Sequence, residues 1–342
     1  MSGQVATPKI FIDYIAYARS IGKPVKHIED PATIINGPHD GVFTQNPSTT
    51  NILERLSTAV TLIVRLEDIV QDLEFAKLLQ SLNYVAVLNH NMYECGFTGI
   101  QIKGITSTNT GVGYATNLNG SETYGSVSLN GFTLYEPEMQ TIYDNASFGF
   151  KIQFLGGIYQ GSDFRIGSVS IGRSFSFPHN ANLSMKIGYN TSGIKKTRTS
   201  GGGDIVNINY YKPPDWDGRP PFVATNASGL SKTSYIGSRS WDLTFSYLSA
   251  DNTFPQNMGE DFIFDNVFDD NGDSVSWTNH TTENITSHFM TLTMNGKIPF
   301  MFQPDSEKNT FAMCRLRSKS FSVQQSAPNL YTCKMTFDEV FV

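Results

Sequence analysis

The chain has 342 residues, with 25 Lys and Arg against 31 Asp and Glu, for a net charge of −6. That balance, with no dense basic block, excludes the electrostatic footprint that sequence-specific nucleic-acid binding needs. Charged residues make up only 16% while aromatics reach 12% and Gly numbers 29, a composition that excludes wholesale disorder and favours strands joined by turns.

Low charge also suits a surface partly covered by neighbouring subunits, since interface cores are depleted of charge. The basic clusters Lys195-Lys196-Thr197-Arg198 and Arg315-Leu316-Arg317-Ser318-Lys319 read as solvated strand and hairpin positions.

The first 45 residues read as an N-terminal arm. Within it Ile10-Phe11-Ile12-Asp13-Tyr14-Ile15 is a strand or the start of a short helix, ended by Gly22 and Pro24. Residues 31–50 have the Pro, Gly, Asn and Thr content of a linker. Ala59–Val64 is a strand. Ile69, Leu73, Ala76 and Leu79 recur at helical spacing, which predicts one amphipathic helix over 68–82. Strands follow at 84–88, 99–105, 132–135, 148–154 and 164–171, separated by turn residues at the spacing of a sandwich or barrel. Residues 106–130 read as an exposed loop.

From 183 a hairpin is expected: Leu183, Met185, Ile187 and Tyr189 alternate, Asn190–Gly193 turns, and Ile194–Ser200 returns. Gly201-Gly202-Gly203 breaks that strand. An acidic insert follows at 255–275. The last hundred residues alternate apolar and polar side chains at period two. This predicts a core built from Trp241, Leu243, Phe245, Phe300 and Phe302, with Tyr247 on the same face as Trp241. The expected class is mainly β: an arm (1–45), two β-sandwich units (46–178 and 179–342) and one short helix.

Candidate chemistry is sparse. Cys95, Cys314 and Cys333 form no CxxC and no metal-ligand spacing, so neither a disulfide framework nor a metal site is expected. Asp265, Asp269, Asp270, Asn271, Gly272 and Asp273 suggest calcium, but Gly272 at the sixth loop position puts Val267 where an Asp is required. No GxSxG and no phosphate loop occurs. Glu136 and Glu138 are an acid pair of no particular distinction. The best polar candidate is Asn89-His90-Asn91 at a strand end. It is either a pocket for sugar hydroxyls or a set of side chains that order a loop.

The N-terminus shows no export signal and no segment is apolar enough to span a membrane. Synthesis in a reducing cytoplasm is therefore expected. The sequons at Asn119, Asn145, Asn182, Asn190, Asn226, Asn279 and Asn284 read as a by-product of turn-rich sequence.

Two resemblances add to this reading. Residues 50–175 resemble a galactose-binding-type jelly roll, through Val87-Leu88-Asn89-His90-Asn91, alternating Phe150, Ile152 and Phe154, and Ile166-Gly167-Ser168-Val169-Ser170-Ile171-Gly172. Residues 235–342 resemble tailed-phage structural proteins of the distal-tail or baseplate type. The wording there is Gly237-Ser238-Arg239-Ser240-Trp241-Asp242-Leu243-Thr244-Phe245-Ser246, Pro299-Phe300-Met301-Phe302-Gln303-Pro304-Asp305, and a last strand ending Asp338-Glu339-Val340-Phe341.

The resemblance implies a virion component, made in the host cytoplasm and placed in the tail. It would need no cofactor and would bind copies of itself and adjoining tail proteins. Exposed arms commonly tie one subunit to the next, so deleting residues 1–30 is expected to spare the β-domains and to impair incorporation. The sugar-binding function of some jelly rolls does not carry over, because their ligand loops have no match here. The alternative is a lectin-like module of the same particle that binds host-surface glycan. A third reading, a secreted glycan-cleaving enzyme, lacks both a signal peptide and an identifiable acid pair.

Overall fold

Ile10, Phe11 and Ile12 put large apolar side chains on both sides of one short segment, the pattern of a strand covered on both faces. The computed structural model describes residues 6–22, 25–28, 33–36, 41–43, 47, 50–55, 60–66, 82–105, 115–117, 130–136, 149–156, 163–182, 185–190, 194–208, 216, 237–254, 284–317 and 322–340. In it Lys9–Asp13 is an inner strand, β1, with Ile10, Phe11 and Ile12 all buried. Helix α1 (Tyr14–Ser20) follows directly.

The other strands in the first half are β2 (Val25–Ile28), β3 (Thr33–Asn36), β4 (Asn51–Arg55), β5 (Val60–Leu66), β6 (Tyr84–His90), β7 (Phe97–Ile105), β8 (Ala115–Asn117), β9 (Gly131–Tyr135), β10 (Gly149–Gly156) and β11 (Phe164–Ser176). The second half adds β12 (Lys186–Asn190), β13 (Ile194–Arg198), β14 (Asp204–Ile208), β15 (Ser238–Leu248), a one-turn helix α2 (Ala250–Thr253), a π-helical turn (Ile285–Met290), β16 (Phe300–Gln303), β17 (Ala312–Leu316), β18 (Val323–Ala327) and β19 (Leu330–Glu339). The protein is mainly β, and every pairing among the described strands is antiparallel.

Two sheets make a sandwich in the first half. One runs β2-β5-β10-β7-β8. The other is the near end of a larger sheet, in which β6 and β4 flank β11 and β9 extends β6. Val60, Leu62, Ile152 and Phe154 from the first sheet share one buried cluster with Val85, Val87, Phe164, Ile166 and Ile171 from the second. Phe97, Phe154 and Phe164 close that core as three mutually contacting rings, with centroids 4.5, 5.2 and 6.1 Å apart. Edge-to-face pairs of this kind add to the area they bury.

The larger sheet does not stop at β11. Its order is β12-β15-β19-β17-β16-β1-β11-β4-β3. One edge of β1 pairs with β11, Lys9 to Ser176 through Asp13 to Gly172, and the other with β16, Lys9 to Gln303 through Phe11 to Met301. This corrects the arm reading for residues 9–20. The polar start and the linker-like stretch at 31–50 hide a segment that is apolar on both faces. Removing residues 1–30 takes away an inner strand, and the two units expected at 46–178 and 179–342 share a sheet through it. Ile10 and Ile12 join the main cluster, whereas Phe11 joins Tyr84, Leu88, Phe132, Trp216, Met301 and Phe311 on the opposite face.

β1 and β11 approach too closely for a side chain at one point. A Cβ on Gly172 would lie 1.9 Å from the Ile12 carbonyl oxygen. Beside it Asp13 ends the strand and caps α1, accepting from the N–H groups of Ile15 (2.9 Å) and Ala16 (3.1 Å), as N-cap carboxylates do. Ser170 hydrogen-bonds Asp13 and also Tyr84 Oη at 2.9 Å. Burial pushes the Asp13 carboxyl up from 3.8 to about 6, against the lowering effect of these hydrogen bonds and of Arg19.

In the second half Trp241, Leu243, Phe245, Phe300 and Phe302 are all buried in the main cluster. The π-helical turn covers them. Asn284 caps it, accepting from Ser287 N–H at 2.7 Å. Phe289 then packs against Phe300 and Phe337. The turn leaves through Gly296, whose φ is +71° and where a Cβ would come within 2.2 Å of Leu316 Cβ.

Tyr247 departs from expectation. The register between β15 and β19 shifts after Phe245, Tyr247 takes φ +64° and stands 77% exposed, and Leu248 enters the core in its place. A bulge of this kind reverses the alternation.

The expected 183–200 hairpin also differs. β12 pairs with β15, and β13 pairs instead with β14 through a turn closed by Thr199 N–H to Gly203 C=O at 2.7 Å. The helix expected over 68–82 and the acidic insert fall outside the described residues, apart from Leu82. Most of the 106–130 loop does too, although Ala115–Asn117 within it is a strand paired with β7.

Two outcomes follow. Trp241→Ala should cost about 3–5 kcal/mol, the usual range for emptying a large aromatic core site, read as a lowered denaturant midpoint. For Asp13, folding raises the pKa, so its contribution to stability is fully present below 3.8 and lost as pH rises through about 6. Asp13→Asn keeps an oxygen acceptor for the cap. Its stability relative to the parent should therefore improve by about 3 kcal/mol between about pH 4 and about pH 8, measured by denaturant titration at each pH.

Candidate functional site

The polar triplet at the end of β6 owes its geometry to the place where β6 must leave β11. Asn89 sits at a register shift against β9 with φ +53°, a left-handed conformation that Asn tolerates better than most residues. Its Nδ2 donates to the Pro47 carbonyl at 2.6 Å.

Asn91 replaces a missing strand pairing. Its Nδ2 donates to Asp163 C=O at 2.8 Å, and its Oδ1 accepts from Arg165 N–H at 2.7 Å. The chain then turns, with Cys95 N–H donating to Asn91 C=O and Phe97 N–H to Met92 C=O.

His90 is buried between them. Its Nδ1 accepts from Met92 N–H at 3.2 Å, which places the ring proton on Nε2, and Nε2 finds no hydrogen-bond partner among the described residues. Burial pulls its pKa down to about 3. The imidazole is therefore neutral at ordinary pH and unsuited to general acid–base work near neutrality. The structure brings the three expected residues together, but Asn89 and Asn91 spend their amides on backbone groups of neighbouring segments. The arrangement orders loops, as Asx side chains do at the ends of elements.

The other reactive groups are similarly committed. Cys95, Cys314 and Cys333 are buried free thiols. Burial pushes Cys333 up to about 12 and, with Glu339 beside it, Cys314 well above its ordinary value, so neither is a thiolate nucleophile near neutrality. Glu136 forms an ion pair with Lys9, and Glu138 lies outside the described residues. Among the described residues no group of three His, Cys, Asp or Glu is placed to hold a metal ion, and no helix is long and apolar enough to cross a membrane. Asn284 of the sequon set is buried and used as a cap.

A charged contact that the sequence reading passed over ties the sheet together at the ends of β15 and β19. Arg239 meets Glu339 through Nε (3.1 Å) and Nη2 (2.7 Å), while its own backbone N–H donates to the same carboxylate at 2.8 Å. The guanidinium also lies 5.0 Å from the Trp241 ring centroid and donates to Phe311 C=O. Glu339 is only 2% exposed at its side chain. Paired, planar geometry of this type is what makes an Arg–carboxylate contact specific.

Among the described residues, apolar side chains on β12 and β14 also face solvent. Ile187, Tyr189, Ile205 and Val206 are each more than half exposed. The run Lys195-Lys196-Thr197-Arg198 carried the signal: it has no apolar face, so the ribbon it forms has no core to cover.

No protein-family model matches the chain, and no curated protein matches it in sequence.

Asn91→Ala should remove the amide contacts to Asp163 C=O and Arg165 N–H. A loss of about 1–3 kcal/mol is expected, measured as a shift in the urea midpoint at unchanged slope.

Proposed function

We propose that this chain is a structural protein of a phage tail that acts by assembling, at or near the distal end, as a ring with copies of itself and with adjoining tail proteins. One observation carries the reading. The three stretches that resemble distal-tail and baseplate proteins pack as one unit: Trp241 from the first contacts Phe302 from the second at 5.4 Å, and Phe302 contacts Phe337, from the strand of the third, at 4.9 Å. The Arg239–Glu339 pair joins the first and third stretches again. The quoted wording therefore belongs to one interlocked core.

The chemistry of the candidate site supports the same reading. The amides of Asn89 and Asn91 are bound to backbone, and His90 is buried and neutral. A protein of this kind contributes shape and edges, and a ring needs a contact that closes by rotation.

The test is a phage lacking the gene. Complete tails should fail to form, and supplying the tagged chain should restore them with label at the distal end. Complete, infectious tails built without this chain overturn the reading. Label confined to peripheral fibres, with specific retention on a glycan array, would assign the chain to receptor binding instead.

A further inference from the structure

We infer that the turn into β16 carries a self-modification site, the Asn295–Gly296 bond, and that the buried hydroxyl of Thr293 keeps it intact. The inference is independent of the assembly reading.

Asn precedes Gly at positions 36, 119, 130, 271 and 295. In such a pair the Gly nitrogen, with no side chain beside it, can attack the Asn carboxamide. The N–Cγ bond forms, the Cγ–Nδ2 bond breaks, and ammonia leaves with the proton that the Gly nitrogen gives up. Water then opens the cyclic imide to aspartate or to isoaspartate, in which the main chain runs through the side-chain carbon. Water is the one co-reactant. The chain must supply an accessible carboxamide and a Gly nitrogen able to release its proton.

The fold has little choice of residues at this point. Met294, Asn295 and Gly296 take φ +52°, +54° and +71°, three left-handed residues in a row between the π-helical turn and β16. Asn and Gly adopt that conformation at the lowest cost. Gly296 admits no side chain, because its Cβ would meet Leu316. Asn295 is exposed, so its carboxamide is open to the reaction.

The Gly296 nitrogen is held back. Its N–H donates to Thr293 Oγ1 at 2.9 Å, and that hydroxyl donates in turn to Phe289 C=O at 2.7 Å. Thr293 is fully buried, so giving up this bond strands a donor and an acceptor away from water. Backbone bonds fix the same geometry: Asn295 N–H to Met290 C=O at 2.6 Å, Ile298 N–H to Thr293 C=O at 2.9 Å, and Leu316 N–H to Gly296 C=O at 3.1 Å. Cyclisation must wait for local opening of this set, which makes its rate a measure of that opening. Isoaspartate would lengthen the backbone where Gly296 meets Leu316 of β17, the strand that pairs with β16. The damage would then sit one strand from β1.

The test incubates the full chain at mildly alkaline pH and reads amide-to-acid conversion at each Asn–Gly pair by peptide mass mapping. The folded parent is compared with the parent in denaturant and with two folded variants. Thr293→Val removes the acceptor and keeps the shape; Thr293→Ser keeps the hydroxyl. Asn130–Gly131, at the start of β9, is the internal reference. Its carboxamide oxygen accepts from Glu94 N–H at 3.0 Å, so its conversion reports opening elsewhere in the fold.

Asn295 should convert far more slowly in the folded parent than in denaturant. Thr293→Val should speed it by about tenfold or more, the change expected when a buried donor loses its acceptor. Thr293→Ser should stay near the parent, and Asn130 should convert at one rate in all three folded proteins. Conversion of Asn295 in the folded parent as fast as in denaturant overturns the protection. A Thr293→Val rate equal to the parent's, or a Thr293→Ser rate equal to that of Thr293→Val, overturns the role of the hydroxyl. A rise at Asn130 in step with Asn295 also overturns it, since general opening then accounts for the change.

Discussion

The architecture depends on a five-residue strand covered on both faces. β1 holds Ile10 and Ile12 in one core and Phe11 in the other, while its two edges pair with strands from opposite ends of the chain. An inner strand has no spare hydrogen-bonding edge and no solvent face, so its neighbours are fixed in register by it. Gly172 is the local cost of that position, because the Ile12 carbonyl occupies the space of a side chain. Asp13 is the other: an acid that caps α1 well but is desolvated in doing so. The strand-to-helix transition can accept this because the same carboxylate satisfies two N–H groups that would otherwise be buried without partners.

Much of the strand content is legible in the sequence, for a physical reason. Strands with one buried face alternate, and Trp241, Leu243 and Phe245 show it plainly. Where a strand is buried on both faces, as at residues 9–13, alternation disappears and a short apolar run is left that is shared by helix starts and strands alike. Tyr247 breaks the alternation for a related reason. A bulge inserts one residue and inverts everything after it, and no composition rule marks where that happens. Pairing partners are less legible still. β12 and β13 are adjacent in sequence and look like a hairpin, yet Lys195, Lys196 and Arg198 give β13 no apolar face to match that of β12. The π-helical turn at 285–290 has a clear cap in Asn284 and Ser287, but its apolar spacing fits neither period.

The candidate site shows the same limit from another side. Asn, His and Asn in a row can bind a ligand or hold a chain, and the sequence leaves both open. What separates the two is where the amides point, and that depends on Pro47, Asp163 and Arg165, far off in sequence. The pairing of Arg239 with Glu339 is not legible because the two residues are a hundred positions apart.

The place of β1 in the chain also bears on how the protein is made. It is the first described strand to leave the ribosome, yet it lines up with Ser176 on one side and Gln303 on the other. Vectorial synthesis therefore holds an apolar segment ready long before its second partner exists. Pairings this distant in sequence are slow to form, and unpaired apolar edges recruit other chains meanwhile. Any fragment that ends before β16, including one cut at the apparent junction near residue 178, keeps β1 with one side open. The halves of this protein should be expressed together, because an isolated N-terminal half carries at its centre the surface most prone to stick to its neighbours.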